Sequence, residues 1–73
     1  MQTLTQLAPL SARETEVLRE LGRGKSNLEI GHALHLSVGS VKGYLSSIMK
    51  KWKARDRVQV VVFAATAGLI RFD

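Results

Sequence analysis

The stretch SNLEIGHALHLSVGSVKGYLSSIMKKW, residues 26–52, decides how this chain folds. Ser26 is a small polar residue followed three positions later by Glu29, which can reach back to the amide of the cap, and Ser37 with Ser40 repeats this helix-start signature in weaker form. Ile30 and Leu34 are spaced to face a core from a short helix over about residues 27–34. Val38, Val41, Leu45, Ile48, Met49 and Trp52 share one side of a longer helix over about residues 38–52, placed on a wheel at about 100° per residue. Only His35-Leu36-Ser37 separates the two, so they must cross steeply, as a helix-turn-helix. Gly31 falls near that crossing, where a missing side chain lets two backbones approach.

Outward from this pair, Ser11 with Glu14 opens a first helix over about residues 12–23, with Val17, Leu18 and Leu21 on one face and Gly24 placed to stop it. Asp56 with Gln59 opens a fourth over about residues 57–67, which ends at Gly68. No segment alternates as a strand does. The expected fold is all-α, a compact four-helix bundle containing the helix-turn-helix over residues 10–73. Residues 1–9 have neither period nor cap and are expected to be a linker or disordered arm. A length of 73 residues sets one domain with a modest core.

Other classes are set aside by composition. With no cysteine, a disulfide scaffold and thiolate chemistry are excluded, and a reducing cytoplasm fits. The longest apolar run, Val58 to Ile70, is interrupted by Gln59, Thr66 and Gly68 and is too short to span a bilayer. The start, MQTLTQLAP, has no basic region and no apolar stretch of a signal peptide.

The charge is one-sided. Arg13, Arg19, Arg23 and Lys25 are balanced by Glu14, Glu16, Glu20 and Glu29, whereas Lys42, Lys50, Lys51, Lys53, Arg55 and Arg57 face Asp56 alone, so the whole net charge of +5 sits in the second half. A basic segment on a neutral scaffold suits a polyanion such as nucleic acid, although many charge runs are only solvated faces. On the third helix, Gly39, Gly43, Ser46, Ser47 and Lys50 lie opposite the core stripe, flanked by Lys42 on one edge and by Ser40, Tyr44 and Lys51 on the other. Both glycines therefore face outward, and an interior glycine costs about 0.8–1 kcal/mol against alanine.

Three stretches, LSARETEVLRELGRGKSNLEIGHAL, LSVGSVKGYLSSIMKKW and RDRVQVVVFAATAGLI, together resemble the LuxR/NarL/FixJ-type helix-turn-helix domain, found mostly at the C-terminus of bacterial response regulators and quorum-sensing activators. The resemblance covers residues 10–70. It implies a four-helix domain that binds double-stranded DNA and regulates transcription, with its third helix in the major groove and its fourth helix supporting a homodimer on DNA. It further implies an N-terminal receiver domain in the parent protein and RNA polymerase as a possible contact. Carried over position by position, base-reading positions fall on Gly39, Lys42, Gly43 and Ser46, and phosphate contacts near Ser37, Ser40, Tyr44, Ser47, Lys50 and Lys51. This chain departs from the family's pattern at Ala12, where proline is usual, at Gly31, usually alanine, at Tyr44, commonly histidine, and at Leu28, usually polar. Gly39 and Gly43 remove side chains where relatives often carry lysine, arginine or asparagine, so direct readout must lean on Lys42 and Ser46.

The chemistry of these residues bears on their roles. Lys42 can donate to guanine O6 and N7, a contact worth about 1–3 kcal/mol of discrimination, or can simply meet a phosphate. Ser37 caps its helix, and the free amides behind it favour a phosphate. Tyr44 can offer its hydroxyl to a phosphate or rest its ring on the second helix. On the fourth helix, Val60, Val61, Ala64 and Ala67 can face the core, leaving Gln59, Val62, Phe63 and Thr66 outside. A dimer using that patch would set two recognition helices about 34 Å apart or closer. An alternative is a protein-interaction module with Gly39/Gly43 and Val62/Phe63 as packing surfaces; a sigma-factor-like promoter-recognition domain is another. Glu29, His32 and His35 fall at helical spacing but lack the second set that a carboxylate-bridged metal site needs, and no phosphate-cradling glycine loop is present. Neither an enzyme nor a cofactor is expected.

Overall fold

The computed structural model describes residues 7–71 and contains four helices: α1 (Ala12–Gly22), α2 (Asn27–Leu34), α3 (Val38–Trp52) and α4 (Arg57–Thr66). Each begins at the small polar residue the sequence marks. Ser11 and Ser26 accept from the amides of Glu14 and Glu29, whose carboxylates return to the cap amides, so both are reciprocal boxes. Ser37 accepts from the Ser40 amide at 3.0 Å, and Asp56 from that of Gln59 at 2.8 Å. Each such cap is worth about 1 kcal/mol against alanine.

The helix ends share one device. A left-handed residue follows each helix, and the next amide bonds back to the carbonyl five positions before it: Lys25 to Glu20, Leu36 to Gly31, Ala54 to Met49 and Leu69 to Ala64. Glycine takes the left-handed position at Gly24 (φ 82°) and Gly68 (φ 78°), but His35 (φ 58°) and Lys53 (φ 54°) take it at the ends of α2 and α3. The tight α2–α3 turn follows from this reversal. A β-carbon at Gly31 would sit 2.5 Å from the Leu36 carbonyl oxygen, so the absent side chain is what the crossing requires.

The core is a single cluster to which every helix contributes, Val17, Leu18 and Leu21 from α1, Ile30 from α2, Val41, Leu45, Ile48 and Trp52 from α3, and Val60 and Ala64 from α4, with Ile70 beyond it. α3 packs on each of the other three and so is fixed by the whole fold. Of the stretch expected to be an arm, residues 1–6 lie outside the described residues. Leu7 and Ala8 pack against the core, and the Trp52 indole N–H donates to the Ala8 carbonyl at 2.8 Å. No helix among the described residues is long and apolar enough to cross a membrane.

Two expectations for α4 need correction. Phe63 is half-buried against the core instead of standing outside, because α4 sinks deeper than its sequence pattern alone indicates. Gln59 is also half-buried, and its side-chain oxygen accepts from the Arg55 amide at 2.8 Å. The apolar residues left exposed on α4 are Val62 and, one turn earlier, Val58, at 52% and 68% exposure. Thr66 is exposed and donates its hydroxyl to the Val62 carbonyl.

Candidate nucleic-acid interface

The exposed face of α3 is built from its periodicity. With Val41, Leu45, Ile48 and Trp52 committed to the core, the positions turned to solvent are Gly39, Ser40, Lys42, Gly43, Ser46, Lys50 and, in part, Lys51. A β-carbon at Gly43 would meet nothing within 4 Å, and one at Gly39 would meet only the Ser37 hydroxyl at 3.8 Å. The fold therefore leaves both glycines unexplained, and the centre of this face is bare backbone. Ser37 and Ser40 bond to each other through their hydroxyls at 3.0 Å at the start of the helix. Tyr44 is half-buried against the core, leaving its ring at the edge of the face.

The electrostatics separate this face from the rest. On the α1–α2 side three of the four cations are paired within the fold: Arg13 pairs with Glu16 at 3.1 Å, and Arg23 and Lys25 both hold Glu20, lowering its pKa chiefly through the Lys25 hydrogen bond against the opposing effect of burial. The second guanidinium nitrogen of Arg13 donates to the Leu34 carbonyl, capping α2. Arg57 is likewise occupied, by the Asn27 side chain at 3.0 Å and the Lys25 carbonyl at 3.5 Å. Among the described residues Lys42 and Lys50 have no ion-pair partner. Lys42 and Lys50 thus leave uncompensated positive charge on the glycine-bearing face.

Glu14, read from the sequence only as the capping partner of Ser11, also reaches across to α3. It is 3% exposed, and Lys51 donates to its Oε1 at 2.6 Å while the Ser47 hydroxyl donates to its Oε2. Those two donors, Lys51 first, hold its pKa down from 4.5 to about 2 despite burial. Ser47 and Lys51, both expected at phosphates, are thereby turned toward α1, and Glu14, Ser40, Gly43, Tyr44 and Ser47 line a shallow concavity beside the helix. Glu29 serves the α2 capping box, and among the described residues no group of histidine, aspartate or glutamate side chains is arranged to hold a metal.

A basic third helix in a tight helix-turn-helix is the arrangement that the sequence resemblance implies, and comparison with known proteins supplies the family. The pattern of the bacterial regulatory proteins of the luxR family matches residues 8–64. The chain belongs to this family. It is 40% identical over 67 residues to the transcriptional regulatory protein LnrK of Bacillus subtilis (strain 168), covering 92% of this chain and 30% of LnrK. To the response regulator protein VraR of Staphylococcus aureus it is 39% identical over 62 residues, 85% of this chain and 30% of VraR. The chain thus spans about 30% of the length of the curated relatives it matches. The luxR family is one of DNA-binding transcription regulators, and the helix-turn-helix here is the domain its members have in common with this chain.

Proposed function

We propose that this luxR-family domain binds duplex DNA with α3 in the major groove, Lys42 and Ser46 reading base edges and Gly39 and Gly43 letting the helix backbone sit close to the groove floor. The observation that carries this reading is the exposed face of α3, where bare glycine backbone lies beside two lysines that have no ion-pair partner among the described residues. Ser37, Ser40, Tyr44 and Lys50 would meet phosphates around it. With two side chains missing, specificity rests on Lys42 and on sequence-dependent DNA shape. This is binding, not catalysis, and it is carried out in the cytoplasm.

The affinity of such a face is dominated by counterion release and falls steeply with salt. Titrating a labelled duplex at several salt concentrations tests it, and an affinity indifferent to salt removes the reading. Lys42→Ala is expected to relax sequence preference, measured by selection from random duplexes, whereas Lys50→Ala weakens all sequences alike; equal effects on both counts defeat the assignment.

The wider context is proposed on the same terms. Val62 and Thr66 on α4, with Val58 added, are the surface through which two copies would pair on DNA. The name of VraR supports a parent protein in which a receiver domain precedes this output domain, and RNA polymerase is a further partner. The competing protein-interaction reading makes Gly39 and Gly43 helix-packing positions. Gly43→Asn separates the two: DNA binding kept or strengthened with any protein partner still bound supports the groove, and loss of a protein partner supports the alternative.

A further inference from the structure

We propose that Glu14 of α1 decides which polar side chains of α3 reach the duplex, withdrawing Ser47 and Lys51 from the phosphate-contacting set and leaving its cationic part to Lys50. The proposal rests on the reading of α3 as the DNA-facing helix and deepens it. The geometry is specific. Both carboxylate oxygens of Glu14 are engaged: Oε1 accepts from the Ser11 amide at 2.7 Å and from the Lys51 ammonium at 2.6 Å, and Oε2 accepts from the Ser47 hydroxyl.

Ser47 has one hydroxyl proton, and it is directed at Glu14, so what the oxygen offers outward is lone pairs that an anionic phosphate oxygen repels. Lys51 keeps other protons, but its charge is compensated by a carboxylate 2.6 Å away whose side chain is only 4% exposed. Moving that ammonium to a phosphate would strand a buried carboxylate without its cation, which is strongly unfavourable. A phosphate approaching this end of α3 therefore meets a nearly neutral pair. At Lys42 and Lys50 no such compensation exists among the described residues.

The experiment measures the slope of log affinity against log salt for a labelled mixed-sequence duplex over about 50–200 mM, where each phosphate neutralised contributes about 0.9. Lys50→Met is expected to reduce the slope by about that amount. Lys51→Met is expected to leave it unchanged, and Glu14→Gln to steepen it by about 0.9 and raise affinity several-fold as Lys51 is released. A Lys51→Met slope that falls as far as that of Lys50→Met overturns the proposal. If either single variant at the Glu14–Lys51 pair fails to fold, the double variant Glu14→Gln with Lys51→Met removes both charges and should retain the parent slope; a loss of about one contact there overturns it equally. Should Lys50→Met leave the slope unchanged, it is the placement of α3 on DNA that fails, and the role of Glu14 with it.

Discussion

From Val38 to Ser46, α3 presents glycine backbone, short hydroxyls and one lysine to solvent, with no bond from these residues to another helix on that face. From Ser47 to Trp52 the same helix is tied down: Ser47 and Lys51 to Glu14 of α1, and Trp52 to the Ala8 carbonyl, while Lys50 is exposed without an ion-pair partner among the described residues. The outer face of the first half can thus be shaped by a ligand at little cost to the fold, while the second half is tied across its polar side as well as through the core. A recognition helix needs both, since side chains can read a groove only if the backbone carrying them does not move.

The largest effect expected from breaking this division comes at the anchored half. Glu14→Ala leaves the Lys51 and Ser47 donors without their acceptor and removes a cap partner, and should cost about 2–3 kcal/mol in urea unfolding, less than for a fully buried pair because the Lys51 side chain is 39% exposed. Acid acts on the same bond. Because the folded state holds the Glu14 pKa at about 2 against an ordinary 4.5, the carboxylate stabilises the fold fully above pH 4.5, and that contribution is lost as pH falls toward 2. A melting temperature followed from pH 6 to pH 2 should therefore fall in the parent chain and fall less steeply in Glu14→Gln. Glu20, depressed by Lys25, adds a decline of the same sign that this variant keeps.

The exposed half should respond in the opposite direction and by less. Gly43→Ala adds a methyl group into open space at an interior helical position and should stabilise the domain by up to about 1 kcal/mol. Smallest of all, Lys42→Ala should change stability by no more than about 0.5 kcal/mol while altering sequence preference. A large loss of stability from Lys42→Ala would erase the contrast between the two halves.

What could be read in the sequence is what depends on neighbours a few positions away. The four caps, the tight turn with its required Gly31 and the outward placement of Gly39 and Gly43 follow from local spacing, and α4 ends at Thr66, one residue before the expected Ala67. Glu14 was legible as the partner of Ser11 and not as the partner of Lys51, because that contact spans 37 positions and forms only when α1 lies along α3. A carboxylate three residues after a cap reads as a solvated capping group, and nothing in its own helix shows that a lysine and a serine will close over it. Phe63 and Gln59 went astray for a related reason: a helical wheel gives direction but not depth. DNA contacts lie outside both kinds of information until a duplex is bound.

Trp52 is the chain's single tryptophan, and its indole is 5% exposed with its N–H on the Ala8 carbonyl. Its emission is therefore an optical gauge of one junction, between the segment entering the domain and the end of the recognition helix. Undocking residues 7–10 would hydrate the ring and shift its fluorescence to the red while circular dichroism stayed nearly constant, because that segment contains no helix. The same lamp would dim or shift only later, with the whole fold, if the entering segment stayed in place.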